Sequence, residues 1–176
     1  KLLLKKKLLN KNKYIKKISR NITLNKLKNR KLFHQNVTLY ASEIAKSKKI
    51  RMLLKKYQKN FSKQNHVCIE GRDIGRVICP KADIKLFFKC NLKVRANRRW
   101  KEYKKSNSKI TLAEVKKALK IRDYSDINRK HGALRVTKDS IVIDTSKLSK
   151  KQMLGKISNI VQNKLLLKYG RNFKAK

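Results

Sequence analysis

Three short apolar runs alternate with helix-forming stretches, and two of the helices carry their own start signals. Val67-Cys68-Ile69, residues 84–88 and Ile141-Val142-Ile143 are strand-length runs rich in β-branched or aromatic side chains. Thr111-Leu112-Ala113-Glu114 and Ser149-Lys150-Lys151-Gln152 are capping boxes. In each, a hydroxyl accepts from the third helical amide while the Glu or Gln reaches back to the cap amide. The first predicts a helix running toward Arg122. The second opens the last helix, with Met153, Ile157, Ile160, Val161 and Leu165 on its apolar side. Residues 92–105 read as a basic helix. Upstream, Tyr40, Ala41, Ile44 and Ala45 mark one helical face, and Ile50, Leu53, Leu54, Tyr57 and Phe61 mark a second. Residues 1–35 are rich in Lys and Asn, and weak alternation across residues 14–27 suits a hairpin. Apolar strands separated by capped helices predict an α/β layer whose parallel sheet is covered on both faces.

A length of 176 residues fits one domain, and 40% hydrophobic residues suffice for a core. No apolar run approaches the length of a membrane span, and residues 1–9 are too short and too charged for a secretory signal. A chain that starts at Lys rather than Met is expected to continue upstream. Cys68, Cys79 and Cys90 are odd in number and form no C-x-x-C pair, so the expectation is reduced, mostly buried thiols in a cytosolic protein. His34, His66 and His131 lack zinc-ligand spacing to them.

Lys and Arg number 51 against 10 Asp and Glu, a formal charge of +41. Such a balance attracts any polyanion, which keeps a basic, ribosomal-type nucleic-acid-binding protein as the rival reading. The lysines are spread along the whole chain, and Lys, Asn and Ile are used heavily throughout. That pattern favours drift toward codons rich in A and T over a dedicated binding face, with nucleic acid attracted only non-specifically.

Nine of the ten carboxylates lie between Glu70 and Asp144. Two clusters interleave Asp with Arg: Glu70-Gly71-Arg72-Asp73-Ile74-Gly75 and Arg122-Asp123-Tyr124-Ser125-Asp126-Ile127-Asn128-Arg129. This mixture suits a ligand with anionic phosphate at one end and hydrogen-bonding sugar or base groups at the other. Arg95, Arg98 and Arg99 share one side of their helix. With no acid beside them they repel one another unless an anion sits among them; the alternative is a solvated basic face. Arg122, Asp126 and Arg129 line one stripe, either a salt-bridge ladder worth about 0.2–0.5 kcal/mol per pair or a ribose and phosphate clamp.

Taken in order, these blocks resemble the bacterial-type cytidylate kinases, nucleoside monophosphate kinases of the P-loop superfamily. The similarity runs from about residue 37 to 165 and more loosely upstream. It rests on Ala41-Ser42-Glu43-Ile44-Ala45 with Ile50-Arg51, on residues 69–75, on Arg95-Ala96-Asn97-Arg98-Arg99, on Arg122-Asp123 with Asp126 and Asn128-Arg129, on Leu134 and Asp139, and on Ile141-Val142-Ile143-Asp144-Thr145. The resemblance implies a P-loop NTPase-like parallel sheet with flanking helices. It also implies a helical lid over residues 92–130, the remainder of a CMP-binding insert at 1–36, and a core domain at 37–176. The implied activity is transfer of the ATP γ-phosphoryl group to CMP or dCMP by a cytoplasmic monomer, with magnesium accompanying ATP and no protein metal ligand. By the family's pattern Ser42, Arg51 and Asp73 read cytosine, and Arg122 and Asp126 contact the sugar. Arg72 and Arg129 hold the acceptor phosphate. Arg95, Arg98 and Arg99 are the catalytic lid arginines over ATP.

The chain departs from the pattern in places. Its five glycines never give Gly-x-x-x-x-Gly-Lys-Ser/Thr, so the phosphate loop and the first strand are expected to be missing. Leu32-Phe33-His34 stands where the insert usually has an Ile-Arg turn, and Ala133 precedes Leu134 where a Pro is usual. A sheet without its first strand is expected to expose an apolar edge and to leave the chain poorly soluble or molten. A further reading is a remnant that binds nucleotide or nothing. This polypeptide is expected not to turn over appreciably, and substantial CMP-dependent ADP release in a coupled assay would contradict that.

Overall fold

The structure, a computed structural model, describes residues 35–64, 66–105 and 109–170, together with Lys13, Lys17 and Leu32. Apart from Lys17, the hairpin expected over residues 14–27 lies outside the described residues, as does nearly all of the expected insert remainder. The described elements run α1 (Gln35–Ile44), α2 (Lys48–Ser62), a π-turn (Ile74–Ile78), β1 (Leu86–Lys89), α3 (Leu92–Lys105), α4 (Leu112–Asn128), β2 (Ile141–Asp144) and α5 (Lys150–Tyr169). The chain divides into two compact units, Lys1–Cys79 with Ile121–Arg135, and Pro80–Lys120 with Val136–Lys176.

The first unit is built on α2. Ser47 caps it by accepting from the Ile50 amide, which holds Ile50 where it becomes the buried residue of the helix. Leu53, Leu54 and Phe61 follow at helical spacing and are half-buried, whereas Tyr57 is exposed. The π-turn packs against α2 and buries Ile78. It closes by a hydrogen bond from the Cys79 N–H to the Ile74 carbonyl, 2.7 Å. Such single turns are uncommon and often sit at functional positions.

The second unit holds the sheet. β1 and β2 pair in parallel, Leu86 opposite Ile141 and Lys89 opposite Asp144. Parallel neighbours require a long crossover, and α3 and α4 lie in it. Ala96 of α3, Val115 of α4 and Ile143 of β2 supply its buried apolar residues. Asn91 caps α3 through the Lys93 amide, and the Trp100 indole N–H donates to the Ile110 carbonyl at 3.2 Å. Both capping boxes form. Thr111 Oγ1 accepts from the Glu114 amide at 3.2 Å while Glu114 accepts from the Thr111 amide at 2.8 Å. Ser149 and Gln152 exchange the same bonds at 3.3 and 2.9 Å. Along α5 the half-buried residues are Met153, Ile157, Ile160, Val161 and Leu165, the five expected from periodicity.

Three expectations fail. Val67-Cys68-Ile69 forms no strand, because a strand exists only where a neighbour exchanges ladder bonds with it, and it has none among the described residues. Cys68 is consequently exposed, and Cys79 and Cys90 are only half-buried, so the thiols are less buried than expected. The sheet is also not covered on both faces: Ile143 is fully buried, but Val142 keeps 45% of its surface exposed and Phe88 50%. Two strands are too few to bury every side chain of an apolar run.

The end of α5 is tethered to the loop before β1. Asp83 accepts from Lys168 and, at 3.1 Å, from the Tyr169 hydroxyl. The Lys168 bond holds the Asp83 carboxyl below its ordinary value, and the same contact raises the Lys168 ammonium. A depressed carboxylate contributes stability above its unfolded pKa, near 3.9, and loses it as pH falls through the lower folded value. A raised ammonium contributes below about pH 10.4 and loses it as pH climbs past the folded value. The tether is therefore expected to be complete from about pH 5 to pH 9 and to weaken beyond either end. Asp83→Asn should speed amide exchange over residues 166–169 at neutral pH and leave α3 unchanged. Equal exchange in wild type and variant would contradict this.

Candidate nucleotide site

Seven of the ten residues singled out in the sequence, Ser42, Arg51, Arg72, Asp73, Arg122, Asp126 and Arg129, belong to the first unit. Among its described residues the buried carboxylates are Asp73 and Asp126, at 8% and 3% exposure. Each sits where the chain turns. Asp73 precedes the π-turn, and its carbonyl accepts from the Val77 amide at 2.8 Å. Asp126 lies near the end of α4, where its carbonyl accepts from the Leu134 amide at 2.7 Å and so folds the following loop back onto the helix.

Asp126 is the hub. Its carboxylate accepts from Arg72 Nε at 2.8 Å and from Arg129 Nη1 at 3.2 Å, and Arg122 Nε stands 3.7 Å away. The arrangement is more than an intrahelical ladder, because Arg72 arrives from 54 residues upstream. Arg129 is itself buried, with 4% of its side chain exposed. Burial pushes its guanidinium below the usual arginine value; Asp126 and Asp73 act against that shift, and Arg51 and Arg72 act with it.

Asp73 forms an ion pair with Arg51 of α2. Gly132 links this pair to the hub. Its carbonyl accepts from Arg129 Nε at 2.6 Å. Its backbone is left-handed, φ 64°, and the space a side chain would fill is taken by the Arg51 guanidinium and the Asp73 carboxylate. Sequence reasoning missed Gly132; the only signal was a glycine three residues after a charged cluster.

Beside the hub is a hollow of about 450 Å³ lined by Tyr40, Ser42, Glu43 and Lys46 of α1 and its exit, and by Ile121, Arg122 and Ser125 of α4. Ser42 Oγ reaches Ser125 Oγ at 3.5 Å. Arg122 belongs to both places, one wall of the hollow and one neighbour of Asp126. Four guanidinium groups therefore surround two carboxylates, an excess of two positive charges next to an open cavity.

The remaining three, Arg95, Arg98 and Arg99, belong to the second unit. Arg98 donates to the Thr145 carbonyl at 2.7 Å and the Leu148 carbonyl at 3.0 Å, pinning the turn between β2 and α5. Arg95 Nε donates to the Cys90 carbonyl at 3.1 Å. Arg99 pairs with Glu102 at 2.9 Å and lies over the Tyr103 ring. The expectation of a helix face with no acid beside it is thus corrected: Glu102 is three residues on, at pairing distance.

The family model for cytidylate kinase matches residues 4–163. The chain is 40% identical over 131 residues to a cytidylate kinase of Clostridium botulinum (strain Okra / Type B1), covering 74% of this chain and 58% of that protein. It is 36% identical over 135 residues to one of Rickettsia akari (strain Hartford), covering 76% and 62%. A Thermosipho melanesiensis cytidylate kinase is 36% identical over 131 residues, covering 74% and 60%. The chain belongs to the cytidylate kinase family, and its parallel sheet with flanking helices fits that P-loop NTPase-like fold. It spans about three fifths of the length of these curated relatives.

Removing one member of a buried charge network leaves the others uncompensated. Asp126→Asn is expected to lower unfolding stability by about 3 kcal/mol. Glu43→Gln, whose pair with Lys46 is solvent-exposed, should change it by less than about 1 kcal/mol. Urea unfolding midpoints of the two variants test this, and similar losses would show that Asp126 is not a hub.

Proposed function

We propose that the first unit binds the acceptor nucleotide of a cytidylate kinase, CMP or dCMP, and that the whole protein transfers the γ-phosphoryl group of ATP to it. The observation that carries the reading is the cluster of Arg51, Arg72, Arg122 and Arg129 around buried Asp73 and Asp126. Its excess of two positive charges complements a phosphate monoester, which carries nearly two negative charges at neutral pH. Planar guanidinium forks bind such oxyanions at two points. Arg72 and Arg129 are the residues we assign to the phosphate, and Arg122 and Asp126 to the sugar.

Ser42, Arg51 and Asp73 read the base. Cytosine presents an amine that the Asp73 carboxylate accepts, next to ring acceptors that Arg51 serves. Uracil replaces that amine with a carbonyl and leaves a buried carboxylate facing an acceptor, a mismatch costing roughly 1–3 kcal/mol or more. The Arg51–Asp73 pair fixes the two groups against each other, so the base edge would meet groups whose positions are set.

Arg95, Arg98 and Arg99 are assigned to the lid that closes over ATP, spanning residues 92–130, where their charge would stabilise the transferring group. Among the described residues no three His, Cys, Asp or Glu side chains gather as a metal site. Magnesium fits the reading as a partner of the ATP phosphates, which is how that ion is commonly held, and no step depends on a protein ligand for it. Among the described residues no helix is long and apolar enough to cross a membrane. The reading adds a cytoplasmic monomer that acts on small molecules.

The test is binding. In the full-length protein, Asp73→Asn should weaken CMP binding, measured by calorimetry, at least about tenfold while ATP affinity is unchanged. Equal loss for both nucleotides would undo the assignment of Asp73 to the base.

A further inference from the structure

Gly132 meets both halves of the candidate site, through the carbonyl it offers and the side chain it lacks. Its carbonyl accepts from Arg129 Nε at 2.6 Å. Together with the bond from Arg129 Nη1 to Asp126 at 3.2 Å, this fixes the plane of the guanidinium. A methyl group on Gly132 would lie under 3.0 Å from the Arg51 guanidinium and from the Asp73 carboxylate, closer than such atoms approach. The arginine assigned to phosphate and the pair assigned to the base therefore stand against one backbone position. Gly170 marks the contrast. Its backbone is left-handed too, φ 74°, but a methyl there would meet nothing within 4 Å.

The loop that carries Gly132 has little freedom to back away. The Leu134 amide donates to the Asp126 carbonyl at 2.7 Å, Arg76 Nη2 donates to the Ala133 carbonyl at 3.4 Å, and Ala133 is buried. Asp73 is buried at the start of the π-turn. Arg51 is the member that can yield, because its side chain is long and keeps 22% of its surface exposed. A side chain at position 132 would thus be accommodated by displacing Arg51 from Asp73. Arg129 would keep its bond, since a backbone carbonyl is present whatever the residue. We propose that Gly132 is a specificity-positioning residue: its lack of a side chain lets the base-reading pair close up beside the phosphate-holding arginine. The inference rests on the nucleotide reading above and gives a glycine a part in base selectivity.

Calorimetry on the full-length protein with CMP, UMP and ribose 5-phosphate, the last a probe without a base, separates the two halves. Gly132→Ala should weaken CMP by roughly tenfold, the scale of a lost bond to a charged group, and narrow its advantage over UMP. Ribose 5-phosphate should change by less than about twofold, because Arg129 stays in place. Gly132→Asn separates crowding from backbone strain, since Asn enters the left-handed region more readily than Ala. It should lose selectivity as Gly132→Ala does. In an Arg51→Ala background, Gly132→Ala should cost CMP little more, because effects of residues in contact do not add. Equal losses for CMP and ribose 5-phosphate would overturn the proposal, as would wild-type selectivity in either Gly132 variant or full additivity with Arg51→Ala. Loss of the native circular dichroism spectrum in both Gly132 variants would show a purely structural glycine and overturn it too. Any of these results leaves the nucleotide reading standing where Asp73→Asn still weakens CMP selectively. Failure of the full-length wild type to bind CMP removes that reading and this inference together.

Discussion

The Asp126 carboxylate is out of water with guanidinium groups on three sides, and the first unit is organised around that fact. Burying an ion costs several kcal/mol, which is recovered only with close partners in good geometry. Arg72 and Arg129 meet that condition at 2.8 and 3.2 Å. Their convergence ties together segments far apart in sequence: the run before the π-turn, the end of α4 and the loop through Gly132. An apolar cluster of the same volume would have stabilised these segments as well or better. What it would lack is the surplus positive charge on which the phosphate assignment rests.

Eight of the ten carboxylates divide by burial and partner. Glu43, Asp83, Glu102 and Asp139 pair with Lys or Arg while remaining exposed, and Glu114 and Asp144 accept from backbone amides at a helix start and a turn. Screened pairs of this kind contribute little each. In a chain of formal charge +41 they relieve local repulsion and fix ends of elements. Asp73 and Asp126 alone are buried, and both lie in the candidate site. A scarcity of acid therefore points toward the site without locating it; burial locates it.

Helices were legible where local chemistry writes them. Thr111-Glu114 and Ser149-Gln152 mark two starts, and the stripe from Met153 to Leu165 follows from periodicity alone. Val67-Cys68-Ile69 was misleading because strand formation depends on a neighbour that composition cannot supply. The convergence of Arg72 with Asp126 was readable only through resemblance, since no spacing rule joins residues 54 apart. Gly132 carries no motif at all, and its role comes from what lies next to it in space. Glu102 is the opposite case: its i,i+3 position relative to Arg99 is plain in the sequence, and a reading of a bare arginine face overlooks it.

The partners of Arg98 bear on the lid reading. Its guanidinium spends its donors on the carbonyls of Thr145 and Leu148 and on the Thr145 hydroxyl. These are bonds from a charged donor to neutral acceptors. A phosphate oxygen is a charged acceptor in the same fork geometry, and such pairs are roughly twice as strong as neutral ones. On the lid reading, Arg98 would have to give up these carbonyls to reach a phosphate, and the turn between β2 and α5 would then lose its pin. Ligand arrival and release of that turn would be linked through one side chain. A lysine there would carry the charge but not the fork that holds two carbonyls at once.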